Sequence, residues 1–300
     1  MASTVLSVRN LHKTYRKTIT SKPVHALKGV SFDIEPGTIT GFLGANGAGK
    51  TTTIKCLLNL AFPDQGEITY FGGSSLTSEA KSKIGFLPER PYFYEYLTGR
   101  EFLRFYGQLS GRIADKDLNA RIDKLLNRVG LAHAGERQLR GYSKGMLQRV
   151  GIAQTLIHHP AFIILDEPMT GLDPDGRLEV QEIISETAAE GTAVFFSSHL
   201  LPDAERLCQR LVILKQGDLI FEGKTKDLLG RVESGHTVHY RRGGQEMSEF
   251  VNTINSNVPL QAVIDRLRKE NCEISEIKVN RLTLEEAFVK IAFDKKEVRA

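Results

Sequence analysis

The segment GANGAGKT, residues 44–51, has the pattern G-x-x-x-x-G-K-[ST]; it follows the apolar run TITGFL and precedes a stretch of helical character. Glycines let the backbone wrap until successive N–H groups face one point, a geometry suited to phosphate oxygens. Lys50 supplies a point charge to β- and γ-phosphates, and Thr51 offers a hydroxyl to Mg²⁺. A second run, FIILDEP, ends an apolar stretch on two carboxylates. Asp166 is expected beside Mg²⁺, through a water, and Glu167 one residue on, where it can polarise an attacking water. His199 follows VFFSS at a similar level; a lone histidine is more often structural, but this one is placed to contact a γ-phosphate or the attacking water. Farther along, GYSKGMLQR (141–149) repeats a glycine-bearing turn ahead of a helix, without catalytic residues beside it.

Elements must bring these pieces together. TVLSVRNL, HALKGVSFDIEPG and TITGFLG read as an antiparallel sheet feeding a buried strand, followed by a helix over 50–60. Residues from about 90 to 158 turn mostly helical: Thr98 with Glu101 forms a capping box, and Leu118, Ile122, Leu125 and Val129 share one helical face. AFIIL (161–165) and TAVFFSS (192–198) are continuous apolar runs, the pattern of strands covered on both faces of a parallel sheet. Between them a helix is expected over 174–190, closed by Gly191. Strand–helix alternation implies an open α/β sheet, with ligands at the carboxyl ends of its strands. LVILKQGDLIFEG reads as a hairpin around Gln216-Gly217-Asp218, and the main domain is expected to span 1–231. The remaining segment, 232–300, reads as a small α+β unit: Leu260, Val263, Ile264 and Leu267 have helical spacing, and Thr283 with Glu286 caps a helix whose apolar face is Leu284, Ala287, Phe288 and Ile291.

The bulk properties restrict the function class. A formal charge of +4 over 300 residues makes no strong case for nucleic acid, and the basic pairs Arg241–Arg242 and Lys295–Lys296 read as solvated surface. Cys56, Cys208 and Cys272 are too few and too scattered for a disulfide frame or a zinc site, which suits a reducing compartment. Met1 leads directly into TVLSVRNL with no secretory pattern, and no apolar run approaches the roughly 18 residues that span a bilayer. The chain is therefore expected to be soluble, which leaves room for a membrane partner.

With these residues assembled, positions from about 4 to 230 resemble the ATP-binding subunit of an ABC transporter, in that family's order and spacing. GANGAGKT is similar to its Walker A loop, FIILDE to the Walker B strand, GFLPER to the Q-loop, YSKGM to the signature segment, TGLD (170–173) to the D-loop, and His199 to the switch histidine. YSKGM, GLDPDGR, SSHLLPDAERLC and the ending LTLEEAFVKI resemble bacterial exporters of the ABC-2 type. The implied architecture is an α/β P-loop NTPase (RecA-like) core with an N-terminal antiparallel β subdomain, an inserted α-helical subdomain and a small C-terminal α+β extension.

The resemblance implies a mechanism and a set of contacts. Two such domains face each other head to tail and bury two ATP molecules, each held by one subunit's Walker motifs and the other's signature. The nucleotide contacts implied are Tyr15 stacked on adenine, then Gly44, Asn46, Gly47, Gly49, Lys50, Thr51 and Thr52, with Ser143 and Gly145 given to the partner's ATP. Mg²⁺ falls to Thr51, Glu89 and Asp166, and catalysis to Glu167, His199 and Lys50. The implied partners are a transmembrane permease and a second copy of this chain, at the cytoplasmic face of the membrane, with no nucleic acid. The alternative is a soluble ABC-class ATPase acting on nucleic acid or ribosomes, a group that typically carries two cassettes in one chain or a long coiled-coil insertion.

Three positions depart from the family pattern. Glu89 replaces the usual glutamine, keeping reach and an oxygen but adding charge and losing an amide donor. In the signature, usually Leu-Ser-Gly-Gly-Gln, Lys144 is expected to point outward into solvent, against the rival of a direct phosphate contact, and Met146 lacks glutamine's polar contacts. The aromatic segment after Glu89, PYFYEYLTGREF, is where contact with the permease is expected, through Tyr94 or Tyr96.

Overall fold

The computed structural model describes residues 4–16, 22–73, 75–231, 235–252, 260–280 and 283–293, and divides into two compact units, residues 1–222 and 223–300. Lys295 and Lys296 lie outside the described residues.

The first unit opens with β1 (Leu6–Tyr15) and β2 (Val24–Ile34), paired antiparallel. Then comes β3 (Ile39–Leu43), with every residue buried, and α1 (Lys50–Leu57). This helix is shorter than its sequence suggests. Asn59 takes φ 54°, the Leu60 N–H bonds to the Lys55 carbonyl and the Asn59 N–H to that of Cys56, so a left-handed asparagine closes the helix. The strand β4 (Gln65–Tyr70) returns to the far edge of β1, completing a three-stranded sheet in the order β2-β1-β4. The sequence reading had no third strand there, because QGEITY is too polar and too short to stand out.

The short α2 (Ser78–Ser82) precedes β5 (Ile84–Leu87), and a helical insertion follows: α3 (Gly99–Ser110), α4 (Asp115–Arg128) and α5 (Lys144–Leu156). Thr98 and Glu101 form the capping box, and Leu118, Ile122, Leu125 and Val129 are all buried. The chain then runs through β6 (Phe162–Leu165), α6 (Pro174–Ala189), β7 (Ala193–Ser198), α7 (Leu201–Leu207), β8 (Arg210–Lys215) and β9 (Asp218–Lys224). Asp173 caps α6 through the Gly176 N–H, with Pro174 at the first turn, where its missing N–H costs nothing. Gln216 (φ 51°) and Gly217 (φ 85°) make the two-residue turn between β8 and β9, the geometry that matches strand twist.

Six strands form one sheet in the order β5-β6-β7-β3-β8-β9. Phe32, Phe42 and Phe195 bind the two sheets together, with ring centroids 4.9–5.9 Å apart. The register decides which strand ends meet: Leu43 lies opposite Ser198, Leu165 opposite Phe196, and Leu87 opposite Leu165. The residues following β3, β5, β6 and β7 therefore emerge level along one edge of the sheet.

Just past α5, His158 Nε2 lies 3.1 Å from the Ile84 carbonyl, which can only accept, so Nε2 carries the proton of a neutral ring. Burial lowers its pKa, opposed by that hydrogen bond and assisted by the charges of Arg112 and Arg121. The unfolded chain then binds the proton more readily, so stability is full above an ordinary histidine pKa of about 6.5 and is lost as pH falls through the lower folded value. His158→Gln keeps a donor and removes the titration; its Tm is expected to fall less steeply from pH 7 to 5 than that of the native chain.

The second unit contains α8 (Thr225–Arg231), β10 (Gly235–Arg242), β11 (Gln245–Asn252), α9 (Leu260–Lys269), β12 (Glu273–Asn280) and α10 (Leu284–Phe293). Its antiparallel sheet has the order β11-β10-β12, and Val238, Tyr240 and Val251 pack with Val263 and Leu267 of α9. The division between units falls within β9, so α8 belongs to the second, although the sequence reading ended the first domain at 231. Arg241 is solvated and paired with Glu246. No helix among the described residues is long and apolar enough to cross a membrane. The three cysteines are buried and unbridged.

Candidate functional site

A cleft of about 640 Å³ lies over the emerging strand ends. Asn46, Gly47, Gly49, Lys50, Thr51 and Thr52 line one wall, and Glu89, Glu167, Thr170 and His199 line another. Two glycines show why the loop has its composition. Gly49 has φ 112°, and a Cβ there would sit 2.7 Å from the Ala26 carbonyl oxygen. Gly47 has φ 79° with nothing within 4 Å of a hypothetical Cβ, so its exposed backbone is open to a ligand.

Lys50, nearly buried, donates to the Gly44 carbonyl at 2.6 Å and lies 3.4 Å from Glu167 Oε1. Glu167 is the hub of the cleft. Its Oε2 accepts from Thr170 Oγ1 at 3.0 Å and meets His199 Nδ1 at 2.8 Å. An ionised carboxylate only accepts, so Nδ1 carries the imidazole proton in this contact and Nε2 is left to act elsewhere. Glu167 also has φ 51°, a backbone region uncommon for a residue with a side chain. Its N–H bonds to Ser197 Oγ at 2.9 Å, and that same hydroxyl donates to Asp166 Oδ1 at 2.6 Å.

Asp166 is buried beneath the cleft. Burial raises its pKa, and the Glu167 and Glu89 charges push the same way, against the Ser197 hydroxyl and Lys50. No cluster of three or more His, Cys, Asp or Glu side chains forms a metal cage among the described residues. Of the three groups expected at Mg²⁺, the Thr51 hydroxyl and the Glu89 carboxylate line the cleft, and the Asp166 carboxylate is buried beneath it. That sparse oxygen set suits Mg²⁺, which binds few protein groups and keeps its waters or takes substrate phosphates.

Other expected site residues fall elsewhere. Tyr15 does not line the cleft; it is exposed at the end of β1, with Lys13 Nζ 5.5 Å from its ring centroid, and its cross-strand partner Val24 lines the cleft instead. Ser143 caps α5 through the Met146 N–H at 3.2 Å, and neither it nor Gly145 reaches this protomer's cleft. Lys144 is exposed, but its ammonium turns back over Gly171 and fills the space a side chain there would need. The sequence marks Thr170 only as the start of the D-loop-like segment and gives Ser197 no role. A hydroxyl near the end of the otherwise apolar AVFFSS was the available signal for Ser197.

A parallel sheet with a glycine loop between β3 and α1, and two carboxylates level with that loop, defines a P-loop nucleoside-triphosphate-binding cassette. A family model described as ABC transporter matches residues 27–170. An uncharacterized ABC transporter ATP-binding protein of Synechocystis sp. is 38% identical over 95% of this chain and 84% of its own length. The bacitracin transport ATP-binding protein BcrA of Enterococcus faecalis is 36% identical over 75% of this chain and 70% of its own length. Among solved structures, a dimeric bacterial ABC transporter cassette superposes with a TM-score of 0.65 and 25% identity, covering 73% of this chain and 98% of that one. The chain belongs to the ABC transporter family, among its ATP-binding subunits.

Proposed function

We propose that this subunit binds ATP with Mg²⁺, hydrolyses it as a head-to-tail homodimer, and powers a separate ABC-2 type export permease from the cytoplasmic face of the membrane. The observation that carries the reading is the convergence of Lys50, Glu167 and His199 on one glycine-walled cleft, with Asp166 bonded to Ser197 beneath it. The placement of Ser143 and Gly145 away from their own cleft supports the dimer, since a helix N-terminus with free N–H groups is suited to a partner's phosphate. The dimeric cassette and the relative named for bacitracin transport support assembly and a transport role respectively.

In this reading the β- and γ-phosphates draw Lys50 from Glu167 and free that carboxylate to act as base. Glu167 takes a proton from the attacking water as the new O–P bond forms. The bond between the γ-phosphorus and the bridging oxygen breaks, and Lys50 meets the charge left on ADP. Bound Mg²⁺, held by Thr51, Asp166 and Glu89, would neutralise phosphate charge. With phosphate and ADP separated, the contact joining the protomers is lost and they part.

In this reading the helical insertion passes the motion to the permease. Phe93 packs on Phe102 and Tyr94 on Phe105, whereas Tyr92 and Tyr96 are 83% and 67% exposed. Tyr96 is thus the better probe of the two tyrosines first singled out. Tyr96→Glu is expected to abolish transport while ATPase activity stays within about twofold of native, as for most exposed positions. Transport that survives this change counts against the contact. Recovery of the native chain from detergent-solubilised membranes should bring a hydrophobic membrane protein with it; recovery alone counts against the transporter reading.

A further inference from the structure

Ser197, the penultimate residue of β7, is fully buried in a strand whose other interior positions are apolar. A hydroxyl there is costly unless its hydrogen bonds are made. Both are: it donates to Asp166 Oδ1 at 2.6 Å and accepts from the Glu167 N–H at 2.9 Å. One proton and free lone pairs serve the two bonds without competition. The pairing of Leu165 with Phe196 brings residues 166 and 197 level, so the contact follows from the sheet itself.

Glu167 is left-handed, and its φ of 51° sets how its side chain lies relative to the peptide whose N–H Ser197 accepts. Thr170 and His199 hold the far end of its side chain, and Ser197 holds the backbone end. We propose that Ser197 is a positioning residue for hydrolysis: its single hydroxyl locks the 166–167 peptide so that Asp166 stays below the cleft and Glu167 is aimed into it. The proposal rests on Glu167 being the base. Without the hydroxyl, the Glu167 N–H faces an apolar strand unpaired, and the peptide can turn and carry the carboxylate out of line.

The test compares Ser197→Ala, Ser197→Cys and Ser197→Thr, alone and combined with Glu167→Gln. Ser197→Ala is expected to lower kcat about tenfold to a hundredfold, with KM for ATP within about threefold, as for a sub-ångström misplacement of a reacting group. Ser197→Thr, which keeps the hydroxyl, should recover most of that loss; Ser197→Cys, of similar size with a weak donor, covers the case in which threonine does not fit. In the Glu167→Gln background, Ser197→Ala should change residual turnover by less than about twofold, because the two act as a unit. ATP-driven dimerisation of that double variant should persist, showing an intact nucleotide site. Native kcat in Ser197→Ala overturns the proposal. So does a loss in the double variant equal to that in the single, or a fall in Tm and ATP-driven dimerisation that tracks the fall in kcat. If Glu167→Gln alone keeps native turnover, the base assignment fails instead, and that result stands apart from the serine's.

Discussion

Glu167→Gln is expected to lower ATP turnover by about 10²–10⁴-fold, the usual contribution of a positioned general base, while ATP binding persists. The glutamine keeps a carbonyl oxygen for Thr170 or His199 but cannot take the proton of an attacking water. With product formation blocked, ATP should hold two copies together, read as a doubled mass in size-exclusion chromatography with ATP and Mg²⁺. A second effect has a definite sign. Without nucleotide, the substitution removes the carboxylate beside nearly buried Lys50. Losing one partner of a buried pair costs about 3–5 kcal/mol, and the lower end applies because Lys50 keeps the Gly44 carbonyl. The nucleotide-free Tm should therefore fall, and the rise on adding ATP should exceed that of the native chain, because phosphates replace the missing charge. Native turnover in this variant would refute the catalytic role.

Gly145→Asp is expected to abolish the ATP-driven dimer and, with it, hydrolysis, while each protomer still binds ATP. A Cβ at Gly145 meets nothing closer than Ser143 Oγ at 4.0 Å, and the backbone there is ordinary helix. An aspartate in the first turn even favours α5 locally, so the protomer should fold. Across the dimer the same carboxylate would confront phosphate. Like charges about 4 Å apart repel by about 4 kcal/mol near a protein surface, and two-fold symmetry applies this twice. That exceeds what a reversible, nucleotide-bridged contact can absorb. Equilibrium binding of a fluorescent ATP analogue to the monomer, beside a dimer assay on Gly145→Asp/Glu167→Gln, separates the two effects. A dimer that still forms would remove Gly145 from the partner's site.

The motifs were legible because each carries its own local chemistry. The glycine loop announced itself by spacing, FIILDE by an apolar run ending in carboxylates, and the capping box at Thr98 by residues three apart. Capping geometry and apolar periodicity likewise located α3, α4 and α6, and continuous burial located β6 and β7. What stayed hidden depended on partners distant in the chain. QGEITY forms β4 because β1 offers an open edge. Helix α1 ends early because Asn59 turns left-handed, a choice asparagine permits but does not impose.

The sequence by itself determined the type of protein: an α/β nucleotide-binding cassette with a phosphate loop, two carboxylates, a histidine and a second glycine-bearing turn at a helix N-terminus. Only the tertiary structure decided how those groups engage one another. The register of β3, β5, β6 and β7 set Lys50 against Glu167, placed His199 and Thr170 on the same carboxylate, and put Ser197 between Asp166 and the Glu167 backbone. The same packing left Tyr15 outside the cleft and folded Lys144 over Gly171. Residue type and local spacing fix which functional groups are available. Strand pairing between segments distant in the chain fixes their distances, and hydrogen bonds depend on distances that no local pattern encodes.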